Sequence, residues 1–247
     1  ITGTFRGGNL RLNLRDFSPS LKYYQNIVKG GAPSLFRQGL GSFATVCLNL
    51  MAGPYGDAAI AAMSIVTRIS QFAASVVIGF GQGFQPVCGF NYGAKLFKRV
   101  QEGFWFCVKF CTSVLLVAAV CGWIFSPNLI GIFLKTDPLV IEYGSQALRL
   151  QALTFPLVGW ITIANMMLQT IGKTVKASLL AMSRQFLFFV PVILTLPGFL
   201  GILGVQFSQP IADFCSFLLA VPLSISVLRE MSHEQEQLEQ LKITREN

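Results

Sequence analysis

Six apolar runs, each close to the roughly 20 residues that an α-helix needs to cross a lipid bilayer, limit what this chain can fold into. They cover residues 34–52, 58–84, 103–125, 147–171, 177–200 and 205–228. Hydrophobic residues make up 53% of the chain and charged residues 12%, against about 25% charged in a soluble domain. Mean hydropathy is +0.58. The sequence predicts an all-α membrane protein, a bundle of six transmembrane helices in contact with the lipid bilayer.

The charged residues lie mostly between the runs, and their number alternates from one connection to the next. Basic clusters precede the first run and follow the second, fourth and sixth, whereas the other connections carry one basic residue, Lys135. Basic residues concentrate on the cytoplasmic side of membrane proteins. The pattern therefore predicts a multi-pass topology with both termini in the cytoplasm. It also accounts for the net charge of +8 without a nucleic-acid partner.

The runs divide the chain into three segments. Residues 1–29 are basic and lack the apolar core of a signal peptide, residues 30–228 hold the six spans, and residues 229–247 form a charged tail. Because the chain begins with Ile rather than Met, we interpret it as starting inside a longer protein or as a truncated product. Asp137 and Pro138 predict a capped helix start, and Pro191 and Pro197 should kink or break the fifth span.

Polar side chains recur on one face of four of the predicted spans. On the second span, five of them fall within a wedge of about 60°. Side chains of this kind are costly against lipid and should turn inward. The four sets are Ser34, Gln38, Gly41, Ser42, Thr45 and Asn49; Ser64, Arg68, Gln71, Ser75 and Gln82; Gln151, Thr162, Asn165 and Gln169; and Gln209, Asp213, Ser216 and Ser224.

Two interpretations of these stripes remain open. Single Gln, Asn or Ser residues can simply hydrogen-bond between packed helices, which contributes about 1 kcal/mol or less each. Four stripes on six helices favour a water-filled cavity that offers hydrogen bonds to a substrate. The residues expected to line such a cavity are Gln38, Asn49, Ser64, Arg68, Gln71, Gln82, Asn165, Gln169 and Gln209.

Ionisable residues inside the spans are few. Asp213 is the only acid well inside an apolar run, so it is the candidate for ion coupling. Arg68 lies deep in the second span and should have a buried partner, for which Asp213 is one possibility. Lys109 and Arg37 lie near predicted span ends, where long side chains can reach the interface, and Arg184 is expected to do the same.

Enzymatic functions find little support. Cys107 and Cys111 are the only cysteines at helical spacing, and His233 is the only histidine and lies in the tail. No P-loop occurs. We therefore expect no metal site, no cofactor and no catalytic residues, and we expect buried cysteines.

Residues 79–95 read GFGQGFQPVCGFNYGAK and close the second span with five glycines, a proline and a lysine. Glycines allow helix backbones to approach closely in lipid, and Pro86 should limit how far the helix continues. This segment resembles the span-to-loop signature of the bacterial branch of the multidrug and toxic compound extrusion (MATE) family. The likeness extends to residues 31–39 (GAPSLFRQG), 55–63 (YGDAAIAAM), 168–173 (LQTIGK), 183–185 (SRQ) and 209–213 (QPIAD).

The resemblance covers only the second half of a two-lobed family. It implies that the chain is the C-terminal six-helix lobe of a pseudo-symmetric transporter in the bacterial inner membrane, with residues 1–29 as the cytoplasmic connection between lobes. Such transporters exchange drugs or organic cations for Na⁺ or H⁺ by alternating access. The implied partners are the missing N-terminal lobe and cationic or amphipathic small molecules. Family acids on the seventh and tenth helices have no counterpart here, which leaves the coupling ion open.

Two alternatives remain. The first is a lipid-linked oligosaccharide flippase of the same superfamily, which cavity arginines in the other lobe would favour because its substrate carries a pyrophosphate. The second is a membrane fragment that folds or associates but transports nothing.

Overall fold

A computed structural model describes residues 20–134 and 137–246, and helices account for almost all of these residues. A 3₁₀ turn, Gly53–Tyr55, joins the first two helices, and a π-helical segment, Ser183–Leu187, joins the seventh and eighth. Within the described residues the α-helices are α1 (Leu21–Ala52), α2 (Asp57–Gly93), α3 (Phe97–Ile124), α4 (Ser126–Phe133), α5 (Pro138–Ala152), α6 (Phe155–Thr170), α7 (Thr174–Met182), α8 (Phe189–Leu200) and α9 (Ile202–Glu246).

The prediction of an all-α membrane protein is confirmed. In the described part of the chain, four helices are long and apolar enough to cross a bilayer by themselves: α2, α3, α9, and α7 with α8 taken as one span, Thr174–Leu200. The bent pair α5 and α6 raises the number to five. The first predicted span, residues 34–52, lies in α1, which is 32 residues long but is not among these helices.

The second span is longer than predicted. Helix α2 continues through Pro86 to Gly93, well beyond the expected end at Phe84. Only some of its glycines mark close contacts: a Cβ on Gly81 would lie 2.3 Å from Met166 Sδ, and one on Gly89 would lie 3.2 Å from Thr170 Cγ2, whereas Gly79, Gly83 and Gly93 have open space beside them. The close approach of α2 to α6 therefore depends on two glycines rather than five.

The fourth predicted run is not one straight helix. Helices α5 and α6 meet at a 55° bend, at the two residues Leu153 and Thr154 that precede Phe155 and Pro156. Pro156 lies in the first turn of α6, where its missing N–H costs no helical hydrogen bond. The start of α5 agrees with the prediction, because the Asp137 side chain accepts a hydrogen bond of 2.9 Å from the Leu139 N–H.

The fifth run is irregular one turn earlier than its prolines. The π-helical segment Ser183–Leu187 closes with a 3.0 Å bond from Phe188 N–H to the Ser183 carbonyl. Pro191 then follows in the first turn of α8, while Pro197 lies inside α8. The chain turns into α9 at Gly201, whose φ of 61° favours glycine.

Helix α6 lies at the centre of the bundle and packs against α2, α3, α7 and α9. Its residues Ile163, Ala164, Met167 and Leu168 are fully buried. Aromatic rings extend the packing, with Trp160 of α6 edge-on to Phe104 and Trp105 of α3. The large apolar side chains that remain exposed suit a lipid-facing surface.

The ends of the bundle differ from the predicted segment boundaries. Helix α1 begins at Leu21, inside the predicted connecting segment 1–29, of which residues 1–19 lie outside the described part. Helix α9 runs without a break from the sixth apolar run into the charged tail and ends at Glu246. An ion pair of 2.6 Å between Lys173 and Glu230 connects the α6–α7 turn to α9.

Candidate functional site

A cavity of about 530 Å³ lies between α1, α2, the bent pair α5 and α6, and the α7–α9 region. Apolar side chains such as Leu48, Met63 and Phe189 form part of its wall. Amides and hydroxyls form the rest, contributed by Ser42, Thr45, Thr67, Ser70, Gln71, Gln151, Thr162, Asn165, Gln185 and Gln209. A cavity of this size, mainly apolar with a few polar groups, is typical of a small-molecule site.

One lining side chain carries a charge. Among the described residues that line the cavity, Arg184 is the only ionisable one, and its side chain is 24% exposed. Its Nε atom lies 2.6 Å from Asp213 Oδ1 and its Nη2 atom 3.4 Å from Oδ2. Asp213 itself is fully buried and does not line the cavity. The carboxylate therefore lies behind the wall, and the Arg184 side chain forms part of the wall.

Four side chains donate hydrogen bonds to Asp213. Besides Arg184, Gln209 Nε2 lies 2.8 Å from Oδ1 and Gln151 Nε2 lies 3.1 Å from Oδ2. Thr154 Oγ1 lies 3.4 Å from Oδ2 and shares its one hydrogen with the Gln151 carbonyl, which is 3.0 Å away. A buried carboxylate is tolerable only when a charge partner and hydrogen bonds replace its lost hydration. The network supplies both, so the structure accounts for an ionised Asp213 inside the bundle.

Two irregular stretches of helix bring this network together. Arg184 projects from the π-helical segment Ser183–Leu187, and such segments often occur at functional sites because the extra residue redirects the side chains. Gln151 and Thr154 lie at the bend between α5 and α6. Helix α9 supplies Gln209 and Asp213 one turn apart, with Pro210 between them.

The structure places the predicted site residues in three groups. Gln71, Asn165 and Gln209 line the cavity. The Gln38 side chain lies outside the described residues. The remaining candidates lie in helices that border the cavity but are not part of its lining: Asn49, Ser64, Arg68, Gln82 and Gln169.

Two of these polar residues show unmet hydrogen-bonding capacity. Asn165 Nδ2 donates a 2.6 Å bond to the Ala177 carbonyl, while its Oδ1 atom is buried and accepts no hydrogen bond from the described residues. Asn49 Oδ1 is also buried and accepts no hydrogen bond from the described residues. Other stripe residues join helices directly, since Trp160 Nε1 donates to Ser224 Oγ at 3.1 Å and Ser183 Oγ lies 3.3 Å from Ser216 Oγ. The stripes therefore serve both packing and cavity lining.

The expectation that Arg68 has a buried partner is wrong, and Asp213, one of the partners considered, pairs with another arginine. Arg68 is exposed on α2, and its side chain forms no ion pair or hydrogen bond with a described residue. The partner of Asp213 is Arg184, which was expected to extend to the membrane interface instead. The sequence contained one usable signal for this pair: a buried acid needs a base, and Arg184 is one of the few arginines within the apolar runs.

A polar exposed face adjoins the cavity on α2. Between Arg68 and Phe90, nine residues that lie within about 120° of the helix circumference are exposed, and Gly89 at the edge of this sector is partly buried. Arginine and glutamine on a span do not normally face lipid. The residues of this α2 face are Arg68, Gln71, Phe72, Ser75, Gly79, Gln82, Gly83, Pro86 and Phe90.

Sites for metal or thiol chemistry are not evident in the described part of the chain. It contains no group of three or more His, Cys, Asp or Glu side chains that could hold a metal ion. Four of the free cysteines, Cys47, Cys88, Cys107 and Cys111, are buried, while Cys121 is exposed and Cys215 partly so.

Comparison with known proteins gives a consistent result. The family model MatE matches residues 33–195. The multidrug export protein MepA of Staphylococcus aureus (strain N315) is 26% identical over 220 residues, which is 89% of this chain and 48% of MepA. MepA of Staphylococcus haemolyticus (strain JCSC1435) is 25% identical over 213 residues, 85% of this chain and 46% of the relative. This chain thus spans about half the length of these relatives.

Solved structures share the fold. A MATE protein in a bent conformation superposes with a TM-score of 0.84 at 21% identity, covering 94% of this chain and 51% of the other. A transporter of the MOP superfamily from Pyrococcus furiosus, described as having a binding pocket of reverse polarity, gives 0.83 at 21% identity over 92% and 51%.

Proposed function

Because the chain belongs to the MATE family, we propose that it is the C-terminal lobe of a secondary active antiporter. In this proposal the transporter exports drugs or organic cations in exchange for Na⁺ or H⁺ by alternating access. Its substrates are cationic or amphipathic small molecules. No cofactor takes part.

The observation that carries this proposal is the cavity. About 530 Å³ of space within a membrane bundle is lined by amides, hydroxyls and apolar groups and opens beside the polar α2 face. Transporters built from repeated halves bind substrate between the halves near the middle of the membrane. A wall of this composition suits amphipathic compounds, because apolar groups pack and a few polar groups orient them.

The α2 face supports an N-terminal lobe as the partner. Its arginine, glutamines and serine are exposed although α2 is a candidate span, and lipid is a poor solvent for them. A second lobe on this side would shield them and complete the cavity. The relatives, which are about twice as long as this chain, have enough sequence for such a lobe.

The topology is part of the proposal. The chain is a multi-pass membrane protein, and we place it in the bacterial inner membrane with both termini in the cytoplasm. The basic clusters that follow the second, fourth and sixth apolar runs support this orientation.

Asp213 is the proposed coupling residue. In the structure its oxygens accept from Arg184, Gln151, Thr154 and Gln209, so an incoming H⁺ or Na⁺ must compete with Arg184 for the same carboxylate. Competition between an ion and an internal cation is a simple way to link ion binding to rearrangement of two helices.

The test is transport in proteoliposomes. The complete natural polypeptide and the 247-residue chain are reconstituted side by side, and uptake of a fluorescent organic cation is measured under imposed Na⁺ or H⁺ gradients. We expect gradient-dependent uptake by the complete polypeptide alone, with the effective gradient identifying the ion. Absence of gradient-dependent uptake by the complete polypeptide would refute antiport.

A further inference from the structure

The wall of the cavity has an uneven charge distribution. Of the described residues that line it, none is a carboxylate and one, Arg184, is a cation. Asp213 neutralises that cation from behind but is fully buried. On this side the wall therefore offers a substrate one cationic side chain, Arg184, and no acid among the described lining residues that could pair with a positive charge.

The Arg184 guanidinium has N–H groups that Asp213 does not engage. Arginine carries five N–H groups in a planar fork, and Asp213 engages Nε and one hydrogen of Nη2. Nη1 and the second Nη2 hydrogen form no bond with a described residue, and the side chain is 24% exposed. These free donors have the geometry to bind two oxygens of one carboxylate.

The carboxylate of Asp213 is in the opposite situation. Its two oxygens accept from four side chains, and none of its surface is exposed. Helix α9, the bend before α6 and the π-helical segment hold it from three sides. The neighbours identified from these elements are Gln209, Gln151, Thr154 and Arg184, of which only Arg184 is charged. Asp213 thus fixes the guanidinium in place and is itself shielded from a bound molecule.

We propose that Arg184 forms a subsite for a carboxylate, or a comparable oxygen acceptor, of the transported compound, and that Asp213 is its positioning residue. This inference rests on the proposed function, since it takes the cavity to be the substrate site. The substrate class is a zwitterion, an organic cation that also carries a carboxylate. Its positive group then lies away from this wall.

The charge balance gives opposite effects for the two members of the pair. Together they are neutral, so a plain cation is not repelled. Replacing Asp213 by Asn leaves an uncompensated positive charge on the wall, which disfavours a cation and favours a carboxylate. Replacing Arg184 by Gln removes the donor and disfavours the carboxylate. A purely structural role of the pair would change the binding of both kinds of compound alike.

Binding to the purified complete polypeptide in lipid nanodiscs tests this directly. Two forms of one rhodamine dye serve as probes, the cationic ester and the zwitterionic free acid, and affinities are measured by fluorescence polarisation. We expect Arg184→Gln to weaken binding of the free acid about tenfold, as loss of a charge-assisted hydrogen bond does. Binding of the ester should be unchanged or tighter, because the negative charge of Asp213 is then uncompensated. Asp213→Asn should lower the affinity for the ester and leave the affinity for the free acid unchanged or higher.

Two further variants keep the result interpretable. Arg184→Lys retains the charge but not the planar fork, so it should bind the free acid with an affinity between those of wild type and Arg184→Gln. Arg149→Gln removes an arginine that donates a hydrogen bond to Ser126, away from the cavity. It should change the affinity for neither dye. Thermal unfolding of each variant shows that it is folded.

Three results would overturn the proposed subsite. Arg184→Gln could lower the affinity for both dyes equally, it could lower neither affinity, or the wild type could bind neither dye. Binding does not require a gradient, so failure of antiport is a separate result. Wild-type protein that discriminates the dyes as expected but transports nothing under any gradient would refute the proposed function alone.

Discussion

Asp213 is the residue whose side-chain charge the bundle can least easily lose. It is fully buried and accepts from four side chains, so Asp213→Asn removes the charge that compensates Arg184 and places an amide among donors. Breaking a buried ion pair costs about 3 kcal/mol or more. We expect a clearly lower unfolding temperature in detergent, together with reduced transport or expression. Wild-type behaviour in all three would remove any role for this acid.

A second ion pair provides the matched control. Lys173 and Glu230 are also 2.6 Å apart, but their side chains are 34% and 54% exposed. Their hydrogen bond raises the pKa of Lys173 and lowers the pKa of Glu230. Exposed pairs contribute less than about 1 kcal/mol. Glu230→Gln should therefore leave the unfolding temperature nearly unchanged, and a loss as large as that of Asp213→Asn would contradict this ranking.

At this scale the sequence predicted the acid but not its base. Asp213 stood out as the only acid inside an apolar run. Arg184 did not, because it lies near the predicted cytoplasmic side of the fifth run, where a long side chain can reach the membrane interface. In the structure it lies in the π-helical segment Ser183–Leu187 and pairs with Asp213 instead. Arg68, deep in the second span, looked more buried than Arg184, but it lies on the exposed α2 face.

At the junction of α8 and α9 the two helices approach each other through their backbones. A Cβ on Gly204 would lie 2.6 Å from three backbone atoms, Leu196 C and O and Pro197 N. Backbone cannot move aside as a flexible side chain can, so Gly204→Ala must separate the two helices. We expect a loss of about 1–3 kcal/mol, measured as thermal unfolding in detergent.

Gly198 is the control for that substitution. It lies in α8, and a Cβ there would meet nothing within 4 Å. Alanine in a helix is favoured over glycine by about 0.5–1 kcal/mol. Gly198→Ala should thus leave stability unchanged or slightly raised. Equal destabilisation by both variants would show that the α8–α9 contact is looser than the structure has it.

The start of α5 is held by a side-chain cap. Asp137 accepts from the Leu139 N–H at 2.9 Å, and Asp137→Ala removes that acceptor at a cost of about 1 kcal/mol. The loss should be local, with faster hydrogen exchange in the first turn of α5 and little change at its far end. Asp137→Asn, which can still cap, should exchange like the wild type. Unchanged exchange in Asp137→Ala would contradict the cap.

The elements show what sequence patterns can and cannot predict. Apolar length and charge alternation located the runs, and cap chemistry located the start of α5. Breaks in the helices were harder to predict. Pro86 was expected to limit α2, yet the helix continues to Gly93. The bend before α6 falls at Thr154, inside a run that looks continuous in the sequence. Neighbouring helices satisfy freed backbone groups in one place and not in another, and a single chain's periodicity does not contain that information.

For the whole molecule, the main feature is a cavity that adjoins an exposed face of α2 carrying polar side chains. The cavity opens beside a polar face of α2 that suits contact with protein rather than lipid. Composition and polar stripes predicted such a cavity and three of its lining residues, Gln71, Asn165 and Gln209. Which stripe residues line it depends on helix rotation and on the bends, which only the assembled bundle fixes.

The most direct test of whether this cavity is the substrate path is to label a cysteine at position 71 with and without substrate. In the complete polypeptide with its native cysteines replaced, Gln71→Cys is labelled with a water-soluble maleimide. The control is Val117→Cys on α3, an exposed apolar position that does not line the cavity and that we expect to face lipid. We predict labelling at position 71 only, slowed by saturating transported cation. A protein that transports the cation while position 71 is unlabelled, or labelled at an unchanged rate, would contradict the assignment of this cavity.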